Sequence, residues 1–260
     1  MMITPLRKAQ VSSFTLIKGT MIPETYAVFA AWDLNKSKRE NLDRLRRDNF
    51  IGARSAAWLR DLAKVFSRRF EPAGRDRALV ILAETGCPLD EWKPIMLWHI
   101  TRDEFLLRDF LINWLYSRFE AGGLRLKPEE LHDFLGDLRH RGGETEHEWS
   151  EATKRRVAAG LLKAAADFGL LRGSNTKEFG SYHMPERSFL YVLYAIRDEL
   201  VSPTRVISSP DWRMFLMSPT DVEREVLRLH QYKKLQYDAA GTLIQLTLPH
   251  QSALEYAKAV

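Results

Sequence analysis

The sequence contains one cysteine and no long apolar segment. Cys87 lies between Gly86 and Pro88 and has no second cysteine for a disulfide or a zinc knuckle, so we expect a small buried side chain. The longest uncharged run, 239–254, includes glycine, proline, histidine and two glutamines, and such a run cannot cross a bilayer. No basic, apolar, small-residue leader opens the chain. These absences favour a cytoplasmic protein with no membrane partner.

Signatures of the common enzyme classes are also missing. The chain has no G-x-x-x-x-G-K-[ST] phosphate loop, no G-x-G-x-x-G after a strand, no G-x-S-x-G elbow and no H-E-x-x-H motif. One cluster of polar residues leaves a metal-dependent hydrolase as an alternative. The residues of this cluster are His132, Asp133, Asp137, His140, Glu144, Glu146 and His147. On one helix His132 and His140 would lie about 12 Å apart, too far to share a metal, whereas Asp137 and His140 are three residues apart and could. We expect a solvated acidic turn here, no cofactor and no enzymatic activity.

Positive charge, in contrast, is abundant and concentrated. Residues 36–69 hold eleven lysines and arginines against four acids, a local charge of +7, although the whole chain carries only +5. Such a concentration is typical of a surface that binds the phosphates of a nucleic acid. The alternative is an ordinary helical domain with a solvated basic face.

The same stretch has the pattern of two helices joined by a turn at 48–52. Ser37 and Glu40 form a capping box for the first helix, and Ser55 can cap the second. Apolar residues then recur at 59, 62, 63, 66 and 70, which predicts one buried stripe and leaves cations on the opposite side. The resulting unit resembles a helix-turn-helix. The residues predicted to contact DNA are Lys36, Lys38, Arg39, Arg44, Arg47, Arg54, Ser55, Arg60, Lys64 and Arg68, with Lys154 and Arg155 on a later helix.

The rest of the chain is predicted to be mainly helical. Apolar helices are expected at 75–84, at 88–100 and, after a second capping box at 101–104, through residue 119 as a central core helix. Two runs of helix, helix and hairpin follow, which is the winged-helix order. In the first run, helices are expected at 127–140 and 150–168 and strands at 170–171 and 182–184. In the second run, helices are expected at 189–200, 211–217 and 218–230 and strands at 235–237 and 242–248, with a turn at 238–241.

These patterns predict a mainly α protein built from helix-turn-helix and winged-helix units with short β-hairpin wings. We expect a basic N-terminal domain at 1–86, a central winged-helix-like domain at 87–185 and a C-terminal winged-helix domain at 186–260. The central helix after Ser150 carries Lys154, Arg155, Arg156 and Lys163, so it can contact phosphates. The corresponding helix after Pro219 mixes acids with arginines, and we therefore expect a structural or protein-contact role for the C-terminal unit.

Several stretches resemble the BrxA family of BREX phage-defence systems. They are YAVFAAW at 26–32, ENLDR at 40–44 leading to the helix after Ser55, LLRDFL at 106–111, WSEAT at 149–153 and FGLL at 168–171. The resemblance spans most of the chain but includes no catalytic signature. It implies a small non-enzymatic component that binds duplex DNA and works beside a methyltransferase and large ATPases.

Composition and resemblance together favour one hypothesis over two others. We expect the protein to bind duplex DNA through its N-terminal basic element, without strong sequence preference, and to support assembly of a larger complex. The main alternative is a protein-only scaffold that uses its helices and wings to contact partner proteins. A hydrolase would require the cluster around His140 to be a real site.

Overall fold

The two helices and the connecting turn predicted within residues 36–69 are present near the start of the chain. A computed structural model describes residues 9–240 and 243–260 and opens with four helices: α1 (Ser13–Lys18), α2 (Ile22–Ala30), α3 (Lys38–Asp48) and α4 (Ala56–Arg69). The capping box at Ser37 and the cap at Ser55 are confirmed. Asn49 and Gly52 take left-handed backbone conformations in the turn between α3 and α4.

Packing between α3 and α4 follows the predicted pattern with one exception. All five residues of the apolar stripe on α4 are buried, as are Leu42 and Leu45 on α3. Phe50, in the turn between the two helices, does not join them, because 39% of it is exposed. Its ring lies 5.6 Å from the Arg44 guanidinium, a cation–π contact at the protein surface.

A long apolar helix is present as predicted, and Leu106, Phe110, Leu111 and Leu115 on it are buried. After α5 (Arg77–Glu84) and α6 (Leu89–Ile100), the chain runs through α7 (Phe105–Asp109), a π-helical segment (Phe110–Leu115) and α8 (Tyr116–Glu120). The capping box expected at 101–104 is wrong. The Thr101 hydroxyl donates to the carbonyl of Trp98, and the Glu104 carboxylate is buried against Arg69.

The next unit contains a shorter helix and a smaller hairpin than expected. A 3₁₀ turn (Pro128–Leu131) leads into α9 (His132–Gly136), which ends about four residues before the predicted position. Next come α10 (Glu151–Asp167), β1 (Leu171–Arg172) and β2 (Glu178–Phe179), so the predicted strand at 182–184 is wrong. Strands β1 and β2 pair antiparallel, and Leu126 forms an isolated antiparallel bridge with Lys177.

The C-terminal unit repeats the order of helices followed by a hairpin. It contains α11 (Glu186–Glu199), α12 (Pro203–Ile207), a 3₁₀ segment (Pro210–Phe215), α13 (Pro219–Gln231), β3 (Gln236–Ala240), β4 (Leu243–Thr247) and α14 (Ala253–Ala259). The turn predicted at 238–241 begins too early, because Asp238 pairs with Gln245 inside the hairpin. Gly241 and Thr242 lie outside the described residues. The short helices α12 and α14 were not predicted.

Contacts between helices join the C-terminal unit to α5 and α6. Helix α11 packs against α6, and α14 packs against both α5 and α11. A buried chain of hydrogen bonds reinforces this junction, since His99 lies 2.6 Å from Asp76 and 2.7 Å from the Tyr191 hydroxyl. Burial alone would raise the pKa of Asp76, but hydrogen bonds with His99 and Arg75 outweigh it and hold that pKa below its usual range. The three-domain division at 86 and 185 stays a prediction.

The short helix α1 lies between α4 and α10. It runs antiparallel to α4, because Gln10 is bonded to Arg68 near one end and Lys18 to Asp61 near the other. On its other side α1 approaches α10 closely at Gly160. A Cβ atom placed on Gly160 would meet the Leu16 carbonyl oxygen at 2.7 Å, so only glycine allows this approach.

Substituting Gly160 by alanine is therefore expected to push α1 away from α10. Because the obstacle is backbone and not a flexible side chain, we expect the free energy of unfolding to fall by about 1–3 kcal/mol. Urea denaturation followed by circular dichroism measures the change. Gly136→Ala is the matched control, since that position has free space around it. An equal response of the two variants would contradict close contact at Gly160.

Candidate nucleic-acid interface

Three of the cations predicted in and just before α3 are solvent-exposed, and each of them is near an acid. Arg39 is 92% exposed and lies 3.8 Å from Asp43. Arg47 lies 2.7 Å from Asp48, and the hydrogen bond from its guanidinium holds the pKa of that carboxyl below its usual value. Lys36 lies 3.2 Å from Asp33. Exposed pairs of this kind contribute little energy, so a phosphate can displace the acid.

Two of the predicted contacts, Lys38 and Arg44, instead hold the helices together. The Lys38 ammonium donates to the carbonyls of Ser67 and Phe70, at the C-terminal end of α4, and lies 2.8 Å from Glu71. A lysine at a helix C-terminus satisfies carbonyls that the helix itself leaves free. The Arg44 guanidinium donates to the Ala31 carbonyl after α2. Both side chains have a structural task that the sequence did not indicate.

At the end of α4, Arg68 and Arg69 are anchored to the segment around α1. Arg68 donates to the Gln10 carbonyl at 2.7 Å. Arg69, which is only 3% exposed, contacts Glu104 at 3.1 Å and donates to the carbonyls of Thr15, Gly19 and Thr20. The sequence did contain a signal for this role. Arg69 lies one helical turn after Val65, which is also buried, so it falls on the apolar side of α4. A cation on a buried side of a helix requires an acid partner.

The exposed side of α4 carries cations that are free to bind an external partner. Arg54 precedes the helix, while Arg60 and Lys64 are one turn apart on its exposed side. Arg54 and Arg60 make no hydrogen bond or ion pair with any described residue. The Lys64 ammonium lies 4.4 Å from the centre of the Phe14 ring on α1, which positions it without neutralising it. Ser55 is used as the helix cap.

Helix α10 presents a second exposed row of cations. Arg155 and Arg156 are both exposed and have no ion-pair partner in the described part of the chain. Lys154, which was also predicted to contact DNA, is mostly covered and lies 2.9 Å from Glu151. About two turns after Arg156, Lys163 is exposed and pairs with Asp167 at 3.0 Å.

Helix α1 brings the two basic helices side by side. Phe14 on α1 contacts Lys64 of α4, and Lys18 on α1 lies 2.5 Å from Asp61 of α4. On the other side α1 touches Gly160 of α10. We call the exposed cations on either side of α1 the basic face, and they are Arg60, Lys64, Arg155 and Arg156. Helix α1 was not predicted from the sequence, and neither was this arrangement.

Three cavities of about 360, 350 and 810 Å³ form a row in which neighbours share lining residues, and Lys18 of α1 lines the middle one. The first two share Trp58 and Glu24, and the last two share Lys163. We call this row the lysine groove. It extends from Arg54 in the turn before α4 to Lys177 near the β1–β2 hairpin, and Lys18, Lys93 and Lys127 also line it.

The cluster considered for a hydrolase is dispersed in the structure. His132 lies 3.4 Å from Glu151 at the start of α10, whereas Glu146 and His147 line a different groove beside Lys64. Within residues 9–240 and 243–260, no three histidine, cysteine or acidic side chains are grouped as a metal ion would require. Cys87 is buried, as predicted, and burial raises the pKa of its thiol.

Charge on the C-terminal unit is balanced internally. Arg228 on α13 contacts both Glu225 and Glu186, and Arg224 lies 3.2 Å from Asp221. The Tyr237 hydroxyl donates to the Glu223 carboxylate. In the residues described, no helix is long and apolar enough to cross a membrane.

The fold and its exposed charge define a mainly helical protein with two small antiparallel hairpins and basic helices around a short central helix. The family model of BrxA matches residues 13–194, from the start of α1 to within α11. The chain belongs to the BrxA family, a component of BREX phage-defence systems that is not known as a catalytic family. A search of curated proteins finds no match.

Proposed function

We propose that the protein is a non-enzymatic component of BREX defence that binds duplex DNA through the basic face. The observation that carries this proposal is the position of α1, which holds the exposed cations of α4 and α10 on either side of it. Cations that have no internal partner can exchange counterions for phosphates, and this exchange gives the main electrostatic gain in DNA binding.

The side chains around these cations favour contact with phosphates over reading of bases. Ala56 and Ala57 lie exposed at the start of α4, and Ala152 and Ala159 are exposed on α10. Alanine lets a helix approach DNA closely, but it cannot form hydrogen bonds with base edges. We therefore expect binding without strong sequence preference.

The order of elements around α10 supports the same assignment. Helices α7 to α8, the bridge at Leu126, helix α9, helix α10 and the β1–β2 hairpin follow the order of a winged helix. In that fold the helix in the position of α10 enters the DNA groove and the hairpin contacts the backbone. We infer that the central unit, predicted at 87–185, is a winged helix that uses α10 in this way.

For the C-terminal unit we propose a structural or protein-contact role. Its acids neutralise its arginines, so its surface offers phosphates no net attraction. Leu227 and Tyr232 are exposed at the end of α13, which suits contact with another protein. By family membership its partners are other BREX components, among which we propose the methyltransferase and the ATPases.

The test is a fluorescence-anisotropy titration of random-sequence duplex DNA at several salt concentrations. We expect wild-type affinity to fall steeply with salt. Arg155→Glu with Arg156→Glu should reduce the slope of log K against log salt by about 1.8, which corresponds to two phosphate contacts. Arg205→Glu with Arg224→Glu makes the same change in net charge on the C-terminal unit and should leave the slope unchanged. If the wild-type protein does not bind duplex DNA, the protein-only scaffold is the better assignment.

A further inference from the structure

The lysine groove lies beside the basic face and differs from it in shape. Its cavities are recessed between helices, whereas the cations of the basic face project from exposed helix surfaces. The middle cavity has a volume of about 350 Å³, which is the size of a site for one small ligand. A duplex about 20 Å across cannot enter such a space, but a single strand or one unpaired nucleotide can.

Trp58 is the aromatic side chain in this groove. It lies in the first turn of α4, lines the two smaller cavities and is half-buried, with part of its ring packed on the hydrophobic core. No other aromatic ring within the described residues stacks on it. An indole that is held against the core and partly exposed is a platform on which a base can stack, and stacking of this kind does not depend on base identity.

Positive side chains continue on both sides of Trp58. Arg54 lies on one side, and Lys18, Lys93 and Lys163 lie on the other. Among the described residues Lys93 has no ion-pair partner. Cations on either side of an aromatic ring can bind the phosphates that flank a stacked base in an unpaired strand.

Three carboxylates also line the groove, and they limit its attraction for phosphate. Asp167 accepts a hydrogen bond from the Thr20 hydroxyl at 2.7 Å and pairs with Lys163, so its charge is locally compensated. Glu24 and Glu129 remain. Lys18 is paired with Asp61, so the cations that stand against these two acids number four: Arg54, Lys93, Lys127 and Lys177. The balance therefore favours an anionic ligand.

We propose that the lysine groove binds a single-stranded segment continuous with the bound duplex, with one unpaired base stacked on Trp58 and neighbouring phosphates on Lys93 and Lys163. This inference rests on the proposed function for the duplex part of the ligand. In paired DNA the bases are stacked inside the helix and cannot reach the indole. The groove therefore gives the protein a preference for DNA that carries an unpaired end or an opened region.

The experiment compares three probes with the full-length protein: a blunt duplex, the same duplex with a ten-nucleotide single-stranded tail, and the single strand alone. We expect the tailed duplex to bind about tenfold more tightly than the blunt one, as stacking of one base allows. Trp58→Ala should remove most of that gain and leave blunt-duplex affinity unchanged, while Trp58→Phe should retain it. Lys93→Ala should reduce the salt slope by about 0.7 for the tailed duplex only.

Two control variants separate these effects from general disturbance. Trp114→Ala removes another partly buried tryptophan, one that stacks on Phe110 away from the groove, and Lys258→Ala removes an exposed lysine from α14. Neither should change the gain from the tail. If Trp58→Ala does not fold, Trp58→Phe and Lys93→Ala still test the groove.

The outcomes for the groove and for the proposed function are distinct. If the blunt duplex binds and the tail adds nothing, the groove proposal is overturned and duplex binding stands. If only the single strand binds, and Trp58→Ala abolishes that binding, the groove is supported as a single-strand site and the proposed duplex binding is contradicted. A gain that Trp58→Ala and Lys93→Ala leave intact would also overturn the proposal.

Discussion

Replacing Arg60 and Lys64 by glutamate is expected to weaken binding to duplex DNA by about tenfold or more at low salt and to lower the salt slope by about 1.8. Both residues lie on the exposed side of α4, and Arg60 has no partner among the described residues that would be disturbed. The reversal also places two carboxylates where phosphates would approach. Loss of affinity should be similar for unrelated sequences, because phosphate contacts carry no sequence information.

Anisotropy titrations with two unrelated duplexes at three salt concentrations measure this effect. Arg205→Glu with Lys258→Glu reverses two exposed cations elsewhere and serves as the control of equal charge. From the sequence alone, Arg68 would be chosen for substitution together with Lys64, because both were predicted to contact DNA. Arg68, however, donates to the Gln10 carbonyl, so its reversal would disturb the segment before α1 as well. Unchanged affinity in a folded Arg60→Glu, Lys64→Glu protein would exclude α4 from the interface.

Substitution of Arg69 by methionine is expected to lower the free energy of unfolding by about 3–5 kcal/mol, the usual result when one partner of a buried ion pair is removed. Methionine preserves much of the side-chain volume but leaves the Glu104 carboxylate, which is 1% exposed, without its close partner. It also removes the donors to the carbonyls of Thr15, Gly19 and Thr20 at the end of α1.

Urea unfolding of the wild-type and Arg69→Met proteins at neutral pH gives the difference directly. Arg60→Met is the matched control, because the same substitution at an exposed site on the same helix should change stability by less than about 0.5 kcal/mol. If Arg69→Met were no more destabilising than the control, the buried pair with Glu104 would not be the anchor that we describe.

Elements with strong local signals were predictable from the sequence. Helices α3, α4, α10 and α13 each begin at a serine cap and carry a regular apolar stripe, and their starts were predicted within a residue or two. Helices α1, α12 and α14 have five to seven residues, too few for a periodic signal. Such short helices form because other parts of the chain pack on them, and a local pattern does not contain that information.

The same distinction applies to the candidate interface. Sequence correctly located the concentration of positive charge, but it could not separate free cations from those bonded to distant backbone. Lys38 binds carbonyls about thirty residues away, and Arg68 binds one 58 residues away. Lys18 and Lys93 lie outside the basic stretch and reach the groove only through tertiary packing. Which DNA contacts are made stays a prediction.

The position of α1 between two positively charged helices has an electrostatic consequence for the free protein. Arg60 and Lys64 on α4 and Arg156 on α10 are like charges on two helices that both contact α1, and Asp61 on α4 is already paired to Lys18. Their mutual repulsion opposes folding and weakens as dissolved ions screen it. Added salt should then act in opposite directions on the same surface: it relaxes the repulsion that opposes folding of the free protein, while it reduces the attraction for a polyanion.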